Sequence, residues 1–206
     1  MAAWYMEVSA YNAVMLEDSI VINVYIDNNI WDFIFKNGLN LRDYFPAEKY
    51  RILISKHGRF EITQMPDTPD KIDFKNYILS VLAGDVEELH TFGFSNPAHS
   101  ESEQRNSGFG MGAFTSVRVN EERERLKSEY GVTQKRKESL ILNKQEADIE
   151  LGALSLTNFV LTLDKKDGPL KSASENGGNV IFLNEICHNS GSEALIFAVK
   201  LIESKT

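Results

Sequence analysis

Short apolar runs alternate with amphipathic stretches along most of this chain. Runs typical of buried strands lie at 20–26, 50–55, 158–164 and 179–185, and stretches typical of helices lie between them. Parallel strands need crossover connections, which are usually helices that cover the sheet. We therefore expect an α/β protein, a three-layer α/β/α sandwich with a mostly parallel central sheet.

The predicted helices have recognisable start and stop residues. Gly38 ends the first of them, and Asp70 is placed to cap the helix at 70–85. Ser190 and Glu193 have the spacing of a capping box at the start of the last helix. We expect helices at 29–37, 70–85, 117–131, 143–157, 168–178 and 190–204, and a helical turn after 50–55 that breaks near Pro66.

The middle of the chain differs in character from the rest. Residues 91–114 are rich in Ser, Asn and Gly and show no periodicity, which is typical of a long loop, and the helix at 117–131 is highly charged. We interpret 91–142 as a polar insertion in a single domain that spans residues 1–206. The apolar helix at 190–204 would either close the core or pair with a second subunit, as in a homodimer.

Composition limits the cellular setting and the class of partner. No apolar run is long enough to cross a bilayer, and the first residues lack the pattern of a signal peptide, so we expect no membrane partner. The single cysteine, Cys187, fits a reducing compartment, and we expect a cytoplasmic protein. The net charge of −8 is unusual for a protein that grips phosphate backbones by charge alone, unless a bound cation supplies the positive charge.

Several acidic residues are placed to meet at one edge of the predicted sheet. Asp27 follows the first strand and Asp164 follows the strand at 159–163, and ligands of such sheets bind at the carboxyl ends of the strands. Converging carboxylates repel one another, and a divalent cation with a preference for oxygen, Mg²⁺ or Mn²⁺, removes that repulsion. The candidate metal ligands are Asp27, Glu61, Asp148 and Asp164, with Asp167 close by.

Three segments that contain these acids resemble the PIN domain family of metal-dependent ribonucleases. YIDNNIWDF (25–33) resembles the opening motif of that family, and LISKHGRFEITQMP (53–66) resembles its second motif, which carries a Glu on a helix. The stretch from Glu146 to Glu185 resembles the C-terminal third of the family in the order of its strand, acidic loop, small-residue helix and final strand.

The resemblance implies a metal-dependent endoribonuclease that hydrolyses RNA phosphodiester bonds, as the VapC-type toxins of toxin–antitoxin pairs do. RNA would then be the substrate and an antitoxin protein a further partner. Asn29 would steady Asp27 by hydrogen bonding, and Thr162 would line the pocket. The implied catalytic and metal-binding acids are Asp27, Glu61, Asp148 and Asp164, with Asp167 as an accessory metal ligand.

Other interpretations of the same residues stay open. The chain could be a non-catalytic PIN-like module that binds RNA or protein, and an Asp after a strand is often only a turn former. A phosphatase of the haloacid dehalogenase type also has an Asp after its first strand, but it needs a second Asp where this chain has Asn29. The basic run at 135–137 could guide RNA, although such a run is more often a solvated surface.

Overall fold

The alternating pattern forms a parallel sheet in the computed structural model, which describes residues 21–131, 142–143, 145–164, 167–185 and 190–206. Within those ranges the strands are β1 (Ile22–Ile26), β2 (Tyr50–Ser55), β3 (Glu87–Thr91), β4 (Gly112–Ala113), β5 (Phe159–Thr162) and β6 (Asn179–Phe182). They lie in the order β4-β3-β2-β1-β5-β6, and each neighbouring pair is parallel. The predicted α/β class with a parallel central sheet is confirmed. The basic run at 135–137 and Cys187 lie outside the described residues.

The helices begin and end close to the predicted residues. In the described ranges they are α1 (Asn28–Asn37), α2 (Lys56–Thr63), α3 (Ile72–Gly84), α4 (Val117–Tyr130), α5 (Glu146–Leu154), α6 (Pro169–Glu175) and α7 (Gly191–Glu203). Gly38 ends α1 in the left-handed conformation, with φ of 59°. The Ser190 side chain caps α7 by accepting a hydrogen bond from the Glu193 N–H. The prediction that Asp70 caps α3 is wrong, because Asp70 lies in a turn closed by hydrogen bonds from the Lys71 and Ile72 N–H groups to the Thr68 carbonyl.

Two apolar clusters hold helices against the two faces of the sheet. One cluster joins the sheet residues Val24 and Ile52 to α1, α3 and α7. The other joins Tyr25, Leu53 and Val160 to α4, α5 and α6. Neighbouring residues such as Val24 and Tyr25 point to opposite faces, as the pleat of a strand requires. This is the arrangement of a three-layer α/β/α sandwich.

The last helix, α7, closes the core on one face. Leu195, Ala198 and Ile202 are fully buried in the same cluster as α1, while Ile196 and Phe197 stay about half exposed. A second subunit is therefore not needed to bury the inner side of this helix. No helix in the described ranges is long and apolar enough to cross a membrane.

The sheet extends further than the apolar pattern indicates. The strand β3 has the sequence EELHT, with Glu87 and Glu88 exposed, and it pairs with Leu53–Ser55 through its backbone. The strand β4 is only two residues long and lies inside 91–114, which the sequence predicts to be a loop throughout. That part of the prediction is wrong, because backbone hydrogen bonds at a sheet edge need no apolar side chains.

Candidate active site

The order of the strands changes direction between β1 and β5. From β1 the chain builds the sheet outward through β2, β3 and β4 on one side, and it later adds β5 and β6 on the other side. Ile26 pairs with Leu161, and the Asp27 N–H donates to the Leu161 carbonyl at 3.0 Å. In open α/β sheets such a switch point leaves a crevice at the carboxyl ends of the strands, and ligands bind there. Asp27 stands in that position.

Two hydrogen bonds fix the carboxylate of Asp27. Its Oδ2 accepts one from the Thr162 hydroxyl at 2.6 Å and one from the Asn29 amide at 2.6 Å. Thr162 is fully buried, and Asp27 is only 9% exposed. The hydrogen bond from Asn29 that the sequence predicts is therefore present, and Thr162 lies beside Asp27 at the end of β5.

The same two side chains also hold the start of the loop after β5. The Leu163 N–H donates to Asn29 Oδ1 at 2.8 Å, and the Asp164 N–H donates to Thr162 Oγ1 at 2.9 Å. Asn29 and Thr162 therefore use both of their hydrogen-bonding functions, one toward Asp27 and one toward the backbone. As a result the Asp164 backbone is tied to the residues that hold Asp27.

Glu61 is held at the same edge by a residue that the sequence analysis passed over. The Asn28 amide donates to Glu61 Oε2 at 2.8 Å and to the Gly58 carbonyl at 3.0 Å, which joins the start of α1 to α2. A Cβ at Gly58 would lie 3.1 Å from Ile54 and 3.4 Å from Asn28 Oδ1, so this close approach favours glycine. In the sequence, the two consecutive Asn residues after Asp27 were the signal that could have pointed to Asn28, but only Asn29 was predicted to have a role.

The electrostatics of Asp27 show which acids face it. The pKa of Asp27 is raised to about 6, chiefly by burial and to a smaller extent by the charges of Glu61 and Asp164. The hydrogen bond from Thr162 lowers this pKa and so offsets part of the rise. The charges of two predicted acids, Glu61 and Asp164, thus act on Asp27 at the switch point. Asp27 is half protonated near pH 6 and becomes a full negative charge only above that pH.

The other two predicted acids have different surroundings. Asp148 is half-buried in the first turn of α5, where a carboxylate is favoured by the positive end of the helix. The neighbouring Ala147 packs against Phe60, so this end of α5 lies against α2. The Asp167 side chain is 88% exposed and forms an ion pair with Lys171 at 2.7 Å.

The side chains at this edge offer oxygen atoms as ligands for a divalent cation. Carboxylates are among the ligands that Mg²⁺ and Mn²⁺ prefer, and Mg²⁺ is commonly held by one or two carboxylates with water completing its shell. Within the described ranges, no group of three or more His, Cys, Asp or Glu side chains is placed to hold a metal ion. The donors at Asp27 therefore fit a hydrated ion held by one or two carboxylates, and they do not form an all-protein cage.

Comparison with protein-family models, with curated proteins and with solved structures finds no significant match for this chain. The PIN resemblance therefore stays a prediction from the motifs.

Proposed function

We propose that this protein is a metal-dependent endoribonuclease that hydrolyses RNA at the carboxyl edge of its sheet. The observation that carries the proposal is the buried carboxylate of Asp27, held by Thr162 and Asn29 and facing the charges of Glu61 and Asp164. Burying a carboxylate beside two others costs free energy, so a site that needs their combined charge explains this arrangement better than a turn does.

A divalent cation is the partner that such a set of charges favours. When bound, Mg²⁺ or Mn²⁺ would supply an activated water and stabilise the extra negative charge of the phosphodiester transition state. Asp27 would hold the ion, with Glu61 or Asp164 as the second carboxylate. The ion would also allow a protein with a net charge of −8 to approach a phosphate.

The residues around the acids fix their positions before any ligand arrives. Thr162 and Asn29 hold Asp27 by one oxygen, Oδ2, and Asn28 holds Glu61. A preorganised carboxylate loses little freedom when it binds a ligand. The antitoxin partner that the resemblance implies stays a prediction, and so does the cytoplasmic location that the single cysteine, Cys187, favours.

The proposal is tested by cleavage of a mixed-sequence RNA with Mn²⁺ or Mg²⁺. We expect the wild-type protein to cut it and Asp27→Asn to lose activity by at least about a hundredfold, which corresponds to about 2.7 kcal/mol of transition-state stabilisation. The matched control is Asp43→Asn, which changes an exposed acid before β2, on a turn at the amino end of the sheet. Equal activity of the wild-type and Asp27→Asn proteins would overturn the proposal, as would no cleavage by the wild type.

A second candidate is a PIN-like module that binds RNA or protein without catalysis. The lack of a three-ligand metal group in the described ranges favours it. The two candidates differ in metal binding, because the module has no use for a cation at Asp27. If the wild-type protein binds RNA equally well in EDTA and in Mn²⁺ and does not cut it, the result supports the non-catalytic module.

A further inference from the structure

Four phenylalanines of the insertion form a cluster at the edge of the sheet beyond β3. Phe92 lies against Phe94, Phe109 and Phe114, with ring centroids 6.1, 4.9 and 4.4 Å away. We call these four residues the Phe92 platform. Its three outer rings are 77–83% exposed, and Met111 and Val117 beside them in sequence are also more than 70% exposed. An apolar patch of this kind usually marks a binding surface.

A cavity of about 430 Å³ opens beside the platform, and Phe92 and Phe94 form part of its wall. This volume is within the range of about 300–1,000 Å³ that is typical of small-molecule pockets. The other walls are mostly polar and come from α2, α4, α5, the 91–106 segment and Asn143. They include the amides of Asn96, Asn106 and Asn143.

The charges of the cavity walls are fixed in pairs. The Arg105 guanidinium binds Glu146 at 2.7 and 3.3 Å, and that of Arg123 binds Glu150 at 2.6 and 3.0 Å. Because each cation is matched by an anion, the walls favour an uncharged ligand with donors and acceptors at its edge over a free anion. Flat aromatic walls and amide groups together suit a nucleobase.

The cavity is also connected to the Asp27 edge through one helix. His57 of α2 lines the cavity, and Glu61 stands one turn further along the same helix. The platform, the cavity and Asp27 all lie beyond the carboxyl ends of the strands β3, β2 and β1. A flexible strand that crosses this edge could therefore reach all three.

We infer that the Phe92 platform and its cavity bind unpaired bases of single-stranded RNA, and thereby select single-stranded over duplex substrate. The identification of this RNA as the substrate rests on the proposed function. Stacking of bases on aromatic rings contributes affinity at any sequence, because every base has a flat face. Paired bases are not available to such a surface.

The test measures binding of a fluorescent single-stranded RNA of about 12 nucleotides by anisotropy, in EDTA so that no cleavage occurs. We expect Phe94→Ala and Phe109→Ala each to weaken binding by about tenfold or more, and a duplex of equal length to bind much more weakly than the single strand. The matched control is Phe197→Ala, which removes a half-exposed ring on α7, and it should bind as the wild type does. Because both platform rings are more than 80% exposed, their removal should leave thermal stability unchanged.

Three further results separate the explanations. An RNA backbone without bases should bind weakly to the wild type, and equal binding of that backbone would overturn the inference. Phe94→Leu keeps an apolar contact but loses the flat ring, so it should lose RNA affinity. The surface would instead be a protein contact if the wild type self-associates and binds no RNA, and if Phe94→Leu keeps this self-association while Phe94→Ala loses it. That result would overturn the inference.

Failure of this inference is distinguishable from failure of the proposed function. RNA cleavage by the wild type with unchanged binding and cleavage in Phe94→Ala and Phe109→Ala would remove the inference alone. Base-dependent binding that needs these rings, with no cleavage under Mn²⁺ or Mg²⁺, would support the binding surface and remove the nuclease.

Discussion

The Thr162 hydroxyl donates a hydrogen bond of 2.6 Å to Asp27 Oδ2, and so links the end of β5 to the end of β1. Thr162 Oγ1 also accepts from the Asp164 N–H at 2.9 Å. One buried hydroxyl thus ties together two acids that lie far apart in the sequence. The hydrogen bonds of Thr162 therefore fix the positions of these two acids relative to each other at the carboxyl ends of β1 and β5.

Replacement of Thr162 by Val should remove both hydrogen bonds of this hydroxyl with little change in the volume of the side chain. The variant leaves the Asp27 carboxylate and the Asp164 N–H without their shared partner, so we expect a loss of about 1–3 kcal/mol in the free energy of unfolding. Urea denaturation measures this loss. Thr162→Ser keeps the hydroxyl and should keep most of the stability. An unchanged free energy of unfolding in Thr162→Val would show that the hydrogen bond does not stabilise the folded protein.

The stability contributed by Asp27 should depend on pH in a defined direction. Its pKa is raised to about 6 in the folded protein, so the folded state disfavours the charged form, and stability is lost as pH rises from the unfolded value near 4 through about 6. Asp27→Asn removes this charge. We expect it to be more stable than the wild type by up to about 3 kcal/mol at about pH 8 and to lose that advantage at about pH 4.

Thermal or urea unfolding of both proteins at the two pH values measures this difference. Asp43→Asn, which changes an exposed acid away from the Asp27 edge, is the matched control in both measurements. A gain in Asp27→Asn that is equal at both pH values would mean that the charge of Asp27 is not disfavoured by burial.

The ion pair between Arg105 and Glu146 should hold the insertion against α5. Burial alone would raise the pKa of Glu146, but contacts from His57, Arg105 and the Asn143 N–H hold it well below its usual value. The stability from this group is therefore present at neutral pH and is lost as pH falls below about 4.5. Glu146→Gln should be destabilised by about 3 kcal/mol at neutral pH and by less in acid.

Hydrogen exchange locates this effect in the molecule. In Glu146→Gln we expect faster exchange in 92–106, which Arg105 ties to α5, while β1 and β5 keep their protection. Uniformly faster exchange over the whole chain, or none, would contradict the assignment of this ion pair to the insertion.

Gly152 should resist substitution because α5 is packed closely against its neighbours. An added Cβ would lie 2.9 Å from Leu126 and 3.2 Å from both Ala173 and the Pro169 carbonyl. We expect Gly152→Ala to lower the free energy of unfolding by about 1–3 kcal/mol. Gly84, at the end of α3, has nothing within 4 Å of its added Cβ, so Gly84→Ala should be neutral or stabilising by up to about 1 kcal/mol. Equal effects in the two variants would show that crowding is not the cause.

The strands that the sequence could predict are those that bury apolar side chains on both faces. β1, β2, β5 and β6 have this pattern, whereas β3 carries exposed Glu87 and Glu88 and is recognisable only by its backbone pairing. Asp27 directly follows β1 and Asp164 lies two residues after β5, and the sequence predicts that they meet because parallel strands end at the same edge. In the structure β1 and β5 are neighbouring parallel strands, so both acids lie at the same edge of the sheet.

Other features of the site depend on contacts that no local pattern contains. The role of Asn28 follows from its bonds to Gly58 and Glu61, which lie about thirty residues further along the chain. The Phe92 platform joins residues from 92 to 114 in a segment without periodicity, so spacing gives no sign of it. The surroundings of Asp148 depend on how α5 lies against α2, and this too is a tertiary contact.

A calorimetric titration with Mn²⁺ at about pH 7.5 tests the metal site at Asp27 most directly, because it needs no substrate. We expect the wild-type protein to bind Mn²⁺ saturably, Asp27→Asn to bind at least about tenfold more weakly, and Asp43→Asn to bind as the wild type does. Wild-type affinity should fall as pH drops through about 6, where Asp27 takes up a proton. Equal Mn²⁺ binding by the wild-type and Asp27→Asn proteins, or no binding by the wild type, would contradict a metal site at this carboxylate.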